Sequence, residues 1–122
     1  MKVMPFVLLE SPWRSSVIDI RRRNKLYAQR CLLDSVHRDE VPLAGHLLYT
    51  QILDDDDPTE RRQGIELHMS WMLKFNKEKD FMAVYQDYGV SQGMLQAIFL
   101  ATDIGLKIEN RYIGLNDEDN SN

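Results

Sequence analysis

Residues 3–9, Val3-Met-Pro-Phe-Val-Leu-Leu9, form a nearly continuous apolar run that Glu10, Ser11 and Pro12 bring to a stop. A run apolar at both parities fits a strand covered on both faces, as in a parallel sheet. Pro5 has no N–H to give a ladder, so the strand is expected to start just after it. A polar loop, residues 11–16, precedes a helical pattern over about residues 17–37, whose apolar side is read as Ile20, Tyr27, Cys31, Leu32 and Val36. Residues 41–44 predict a short second strand, and residues 45–57 a connection of unusual length and apolarity, with His46, Leu47, Leu48, Tyr49 and Gln51 as its contact residues. Asp57, Pro58 and Glu60 have the order of an N-cap, a first-turn proline and a capping-box acid, which predicts a helix over about residues 58–76. Two apolar stripes run along it: Ile65, Met69, Met72 and Leu73, and then Leu67, Trp71 and Phe75. Packing on a sheet needs only one. The second is read either as a subunit contact or as deeper burial within the monomer.

The stretch that organises the chain is residues 81–101. Residues 81–88 are rich in β-favouring side chains and end at Gly89, while Ser91 stands as the N-cap of a helix carrying Met94, Leu95, Ile98, Phe99 and Ala101. A last strand is expected over residues 104–108 after a turn at Asp103, and residues 114–122 read as a frayed acidic tail. Strands alternating with helices predict one α/β domain over residues 1–113, a flavodoxin-like, Rossmann-like three-layer sandwich with a parallel sheet of about four strands. Ligands of such sheets collect beyond the carboxyl ends of the first and third strands. Those ends carry the candidate ligand-binding residues Ser11, Pro12, Trp13 and Arg14, then Asp87, Tyr88, Gly89, Ser91, Gly93 and Met94, with His46 from the long connection.

Composition narrows the chemistry. With 122 residues, 43% of them hydrophobic, the chain is long enough for one core. A net charge of −4 argues against nucleic-acid or membrane binding through the overall field. The single cysteine, Cys31, can form no internal disulfide. The sequence shows no secretory signal or membrane-length apolar run, so the expected location is the cytoplasm. There is no dinucleotide glycine fingerprint, Walker loop, zinc ligand set or nucleophile elbow, and no cofactor is expected. Asp54 to Asp57 lack the alternation and glycine of a calcium loop, so capping is preferred to a metal site. The arginines at 21, 22 and 23 read as a solvated face.

Several stretches together resemble small phage and bacterial proteins of the nucleoside 2-deoxyribosyltransferase-like superfamily. These are Leu9-Glu-Ser-Pro-Trp13, residues 42–51, Leu53-Asp-Asp-Asp-Asp-Pro-Thr-Glu-Arg61 with Gly64 and Ile65, and Tyr88-Gly-Val-Ser-Gln-Gly93-Met94. The resemblance runs to about Arg111. It implies a flavodoxin-like sheet, oligomers with sites near subunit contacts, and binding or cleavage of nucleosides or nucleotides at the N-glycosidic bond; a phage-encoded member would act in the host cytoplasm. In catalytic members a glutamate four residues after the turn glycine attacks the anomeric carbon. Counted from Gly93, that place is Ala97, and a methyl group cannot be a nucleophile. Two readings follow. One is a protein that binds and sequesters a nucleoside or nucleotide-derived ligand, with Trp13 stacking on a base and Arg14 meeting a phosphate. The other is an N-glycoside hydrolase or transferase using Glu10, Asp87 or Glu66 instead. A structural reading, in which Trp13, Tyr49 and Trp71 are only core or interface residues, stands beside both.

Overall fold

The computed structural model describes residues 1–115. Phe6–Glu10 forms β1, beginning directly after Pro5, and the long helix α1 spans Ile18–His37. Next come β2 (Val41–Leu43), the short helix α2 (Gly45–Leu48), a 3-10 turn (Tyr49–Gln51) and α3 (Pro58–Met72). The chain continues through β3 (Phe81–Tyr85), α4 (Gln92–Asp103) and β4 (Lys107–Arg111). The four strands are all parallel in the order β2-β1-β3-β4. This is a flavodoxin-like three-layer sandwich. Strand order reverses between β1 and β3, whose register sets Val7 opposite Phe81 and Glu10 opposite Val84.

Strand parity divides the core. Val7, Leu9, Ala83 and Tyr85 pack on Tyr27 and Cys31 of α1. Leu8, Met82 and Val84 point the other way, against Met72 of α3 and Met94, Ala97 and Ala101 of α4. Both faces are therefore dry, which is why β1 and β3 read as unbroken apolar runs.

The inner side of α1 differs from the apolar reading. Its buried residues are Asn24, Tyr27, Ala28, Cys31 and Ser35, whereas Val36 and Ile20 are exposed. Two polar groups can lie inside because each has a partner: Asn24 Nδ2 donates to the Trp13 carbonyl at 3.0 Å, and Ser35 Oγ to Glu40 at 2.7 Å. At the start of α3, Asp57 Oδ1 accepts the N–H groups of Thr59 (2.9 Å) and Glu60 (3.3 Å), a working N-cap. That helix stops at Met72, before Phe75, whose ring turns toward Phe6 at 6.4 Å and packs on the core. Leu67 and Trp71 remain exposed, so the expected outer stripe lacks its third member.

The last strand begins three residues later than the apolar alternation of Ile104, Leu106 and Ile108 implies. Gly105, at φ 80°, ends α4 in the left-handed region, and Leu106 becomes a core residue in the turn that follows. Gly114 and Leu115 are not frayed: their N–H groups bond to Asp87 at 2.9 and 2.8 Å. The rest of the acidic tail lies outside the described residues. No helix among the described residues is long and apolar enough to cross a membrane.

Candidate functional site

At the reversal point a cavity of about 430 Å³ opens between the carboxyl ends of the strands, α2, α3 and the start of α4. Its size suits a small-molecule ligand. The β1–α1 loop lines it with Ser11, Trp13, Arg14, Ser15 and Ser16, and α2 with Gly45 and His46. Arg61, Gly64, His68 and Met69 come from α3, and Ser91, Gln92, Gly93, Met94 and Gln96 from the start of α4.

The floor is buried and polar. Glu10, Ser11 and His68 are only 6%, 5% and 7% exposed. The Gly45 N–H donates to His68 Nδ1 at 3.0 Å, so that nitrogen carries no proton. The imidazole proton therefore sits on Nε2, which bonds to Glu10 Oε2. Glu10 accepts no other side-chain hydrogen bond from any described residue. Beside this pair, Ser11 Oγ and His46 Nε2 lie 2.9 Å apart, and the Trp13 indole meets the His46 ring at a centroid distance of 5.1 Å. Burial, with His68 adding to it, pushes the His46 imidazole down to about 3, so it is neutral at physiological pH.

The rim is more open and carries both signs of charge. Arg14 stands there, and Arg61 lies 3.8 Å from Asp55. Ser91 caps α4 by accepting the Met94 N–H at 3.3 Å. The first N–H groups of a helix have no intrahelical acceptor, and those of Gln92 and Gly93 belong to residues that border the cavity. A ligand would thus meet acceptors and neutral donor-acceptors on the floor, an indole on one wall, the guanidinium groups of Arg14 and Arg61 interleaved with the carboxylates of Asp55 and Glu60, and the N–H groups at the start of α4.

Of the residues proposed from sequence, Ser11, Trp13, Arg14, His46, Ser91, Gly93 and Met94 line this cavity. Pro12, Asp87, Tyr88 and Gly89 do not. Asp87 is a structural carboxylate: it takes the Tyr27 hydroxyl at 2.6 Å and the N–H groups of Ile113, Gly114 and Leu115. Burial alone would raise its pKa, but these donors outweigh it and hold the carboxyl below its ordinary range. Tyr88 packs edge-on to Tyr27 at 4.8 Å, with the Arg23 guanidinium 4.0 Å from its ring centroid. Gly89, at φ 84°, closes a turn through its N–H to the Gln86 carbonyl at 2.9 Å.

Glu66 is exposed on α3 and does not border the cavity, which leaves Glu10 as the member of that carboxylate trio that does. Ala97 is fully buried against the sheet, while its neighbour Gln96 borders the cavity. His68 and Arg61 were not singled out from sequence. The signal for His68 was a lone imidazole set at helical spacing among Ile65, Met69 and Met72; Arg61 looked like any surface arginine near an acidic run.

Among the described residues no group of three or more His, Cys, Asp or Glu side chains is placed to hold a metal ion. No curated protein and no solved structure matches the chain significantly. A family model does match, over residues 5–111, and so takes in every strand and the whole cavity. By that match the chain belongs to the family described as "Domain of unknown function (DUF7768)".

Proposed function

We propose that the cavity binds a nucleoside or nucleotide-derived small molecule and holds it intact, so that the protein sequesters its ligand. The observation that supports this most is the joining of three features at one cavity: the Trp13 indole, the Arg14 and Arg61 guanidinium groups, and the open start of α4. An indole offers a flat apolar face to a base. Guanidinium groups and helix N–H groups favour a phosphate. The resemblance to nucleoside 2-deoxyribosyltransferase-like proteins points to the same ligand class, and Ala97 argues against their covalent chemistry. No cofactor is required. The acidic net charge of −4 disfavours nucleic acid as the partner.

The second reading, an N-glycoside hydrolase or transferase, draws on one observation: Glu10 borders the cavity with a carboxylate that, among the described residues, is bound by His68 alone. One experiment separates the two. The protein is incubated with a panel of nucleosides and nucleotides, and both released base and retained intact ligand are measured. Sequestration predicts retained ligand and no release over hours; turnover would establish the second reading, and neither binding nor turnover would refute both.

Assembly belongs to the same proposal. Leu67 and Trp71 on α3 are 41% and 45% exposed, and the Trp71 indole N–H bonds to the Tyr49 hydroxyl of the cavity wall at 2.8 Å. A second copy of the chain would cover this face. Light scattering should show an oligomer that Trp71→Asp dissociates, and a monomer at micromolar concentration would refute the assignment.

A further inference from the structure

We infer that Glu10, positioned by His68, is the acceptor that reads a hydroxyl group on the ligand, so that a sugar-like hydroxyl lies on the cavity floor and the anionic end lies at the rim. This rests on the reading that the cavity takes a nucleoside or nucleotide-derived molecule, and it assigns that molecule an orientation.

The floor is built around one carboxylate. Its side chain is 8% exposed, one oxygen is fixed by His68 Nε2–H, and no other described residue bonds to it. A carboxylate in so dry a place needs donors for its remaining lone pairs, and the space it borders is the cavity. A second layer fixes His68. The Gly45 N–H holds Nδ1, and a Cβ added at Gly45 would come within 2.2 Å of that nitrogen, so only a glycine allows the ring to sit there. Backbone N–H, imidazole and carboxylate thus form a chain with its proton positions set and its free end at the ligand space.

The neighbours select a hydroxyl over a cation. Ser11 Oγ and His46 Nε2 are bonded to each other, and with the imidazole proton on His46 Nε2 given to Ser11 Oγ the serine keeps its own proton, which a hydroxyl that donates to Glu10 can accept. An ammonium has no lone pair to offer it. The charges around the cavity do not make this choice, since Arg14 and Arg61 share its lining with Asp55 and Glu60; the lone pair that only a hydroxyl offers does.

The test is calorimetric titration with ribonucleoside 5′-monophosphates and their matched 2′-deoxy, 3′-deoxy and 2′,3′-dideoxy forms. For the unmutated protein, loss of the hydroxyl that meets Glu10 should weaken binding by about tenfold or more, the scale of a hydrogen bond to a charged group. Glu10→Met keeps the length and removes both oxygens, and the preference should vanish. Should that variant fail to fold, Glu10→Gln, whose carboxamide oxygen can still accept the His68 proton, should fold and show a clearly reduced preference. His68→Gln retains a donor toward Glu10 and should preserve the preference, whereas His68→Leu should lose it. Equal affinity for hydroxyl and deoxy forms, or an undiminished preference in the Glu10 variants, would overturn the inference. If no nucleoside or nucleotide binds, the ligand class of the preceding proposal fails. The role of Glu10 is then decided by sugars and sugar phosphates with their deoxy forms, read by the ¹⁵N resonance of His68 Nε2. Failure of every hydroxyl compound to move that resonance would overturn it.

Discussion

Replacing Gly45 by alanine tests the architecture of the cavity floor with a single methyl group. The added Cβ would lie 2.2 Å from His68 Nδ1 and 2.6 Å from both Cβ and Cγ of the same residue. Those atoms belong to the root and ring of a side chain 7% exposed, not to a flexible tip that can swing aside. His68 must therefore move, and with it go the bond from the Gly45 N–H and the bond to Glu10. Overpacking of a filled interior costs about 1–3 kcal/mol. Leaving a buried polar group without its partner costs about 1–3 kcal/mol more. Restricting the unfolded chain returns up to about 1 kcal/mol. The net expectation is a loss of about 1–6 kcal/mol, set against the ~5–15 kcal/mol typical of a domain. Gly93→Ala is the control, because a Cβ there meets nothing within 4 Å. It should be neutral or stabilise by up to about 1 kcal/mol. Urea unfolding followed by circular dichroism reads both. A Gly45→Ala protein within about 0.5 kcal/mol of the unmutated one would show that His68 is not held as described.

Arg111→Ala should cost about 3–5 kcal/mol by urea unfolding, because it strands buried Glu40, which now accepts from Nη1 at 2.7 Å and Nη2 at 2.5 Å. Acid should destabilise the protein in two windows. His46, folded at about 3 against about 6.5 unfolded, contributes stability that is complete above pH ~6.5 and lost as pH falls toward 3. Asp87, depressed in the folded state, contributes stability present above its unfolded value near 3.9 and lost as pH falls below it. In pH-resolved melting, His46→Gln should flatten the first window and Asp87→Asn the second. Ala97→Glu should lower the melting temperature sharply without yielding base release, since it sets a carboxylate against Leu8, Met82 and Val84 instead of in the cavity; a stable, base-releasing variant would refute that placement.

The sheet was legible because its strands are dry on both faces, so β1 and β3 read directly as apolar runs, and because Asp57 and Ser91 announce the helices they cap. Helix interiors were harder. Asn24 and Ser35 are buried through partners distant in sequence, Trp13 and Glu40, and an apolar count along α1 puts Ile20 and Val36 inside in their place. The end of β4 moved for a local reason, the left-handed Gly105 that interrupts an apparent alternation. At the site, the β1–α1 loop and the start of α4 follow from topology alone, since both lie where strand order reverses. What topology does not give is which way a side chain beyond a strand end turns. Asp87 has the same standing as Ser91 in the sequence, yet it faces Tyr27 and the segment after β4, a contact 26 residues away in the chain. Recognition of His68 needed the backbone of α2 in place, because its partner is an N–H that no side-chain pattern encodes.

A ligand seated between the ends of β1 and β3 is detected by amide and indole chemical-shift mapping during titration with a ribonucleoside 5′-monophosphate. Saturable shifts are expected at Ser11, the Trp13 indole, Gln92, Gly93 and Gln96, lost when Arg14 is replaced by alanine. Shifts confined to the groove lined by Leu26, Tyr27, Leu33 and Leu115, with the cavity residues unmoved, would show the ligand elsewhere.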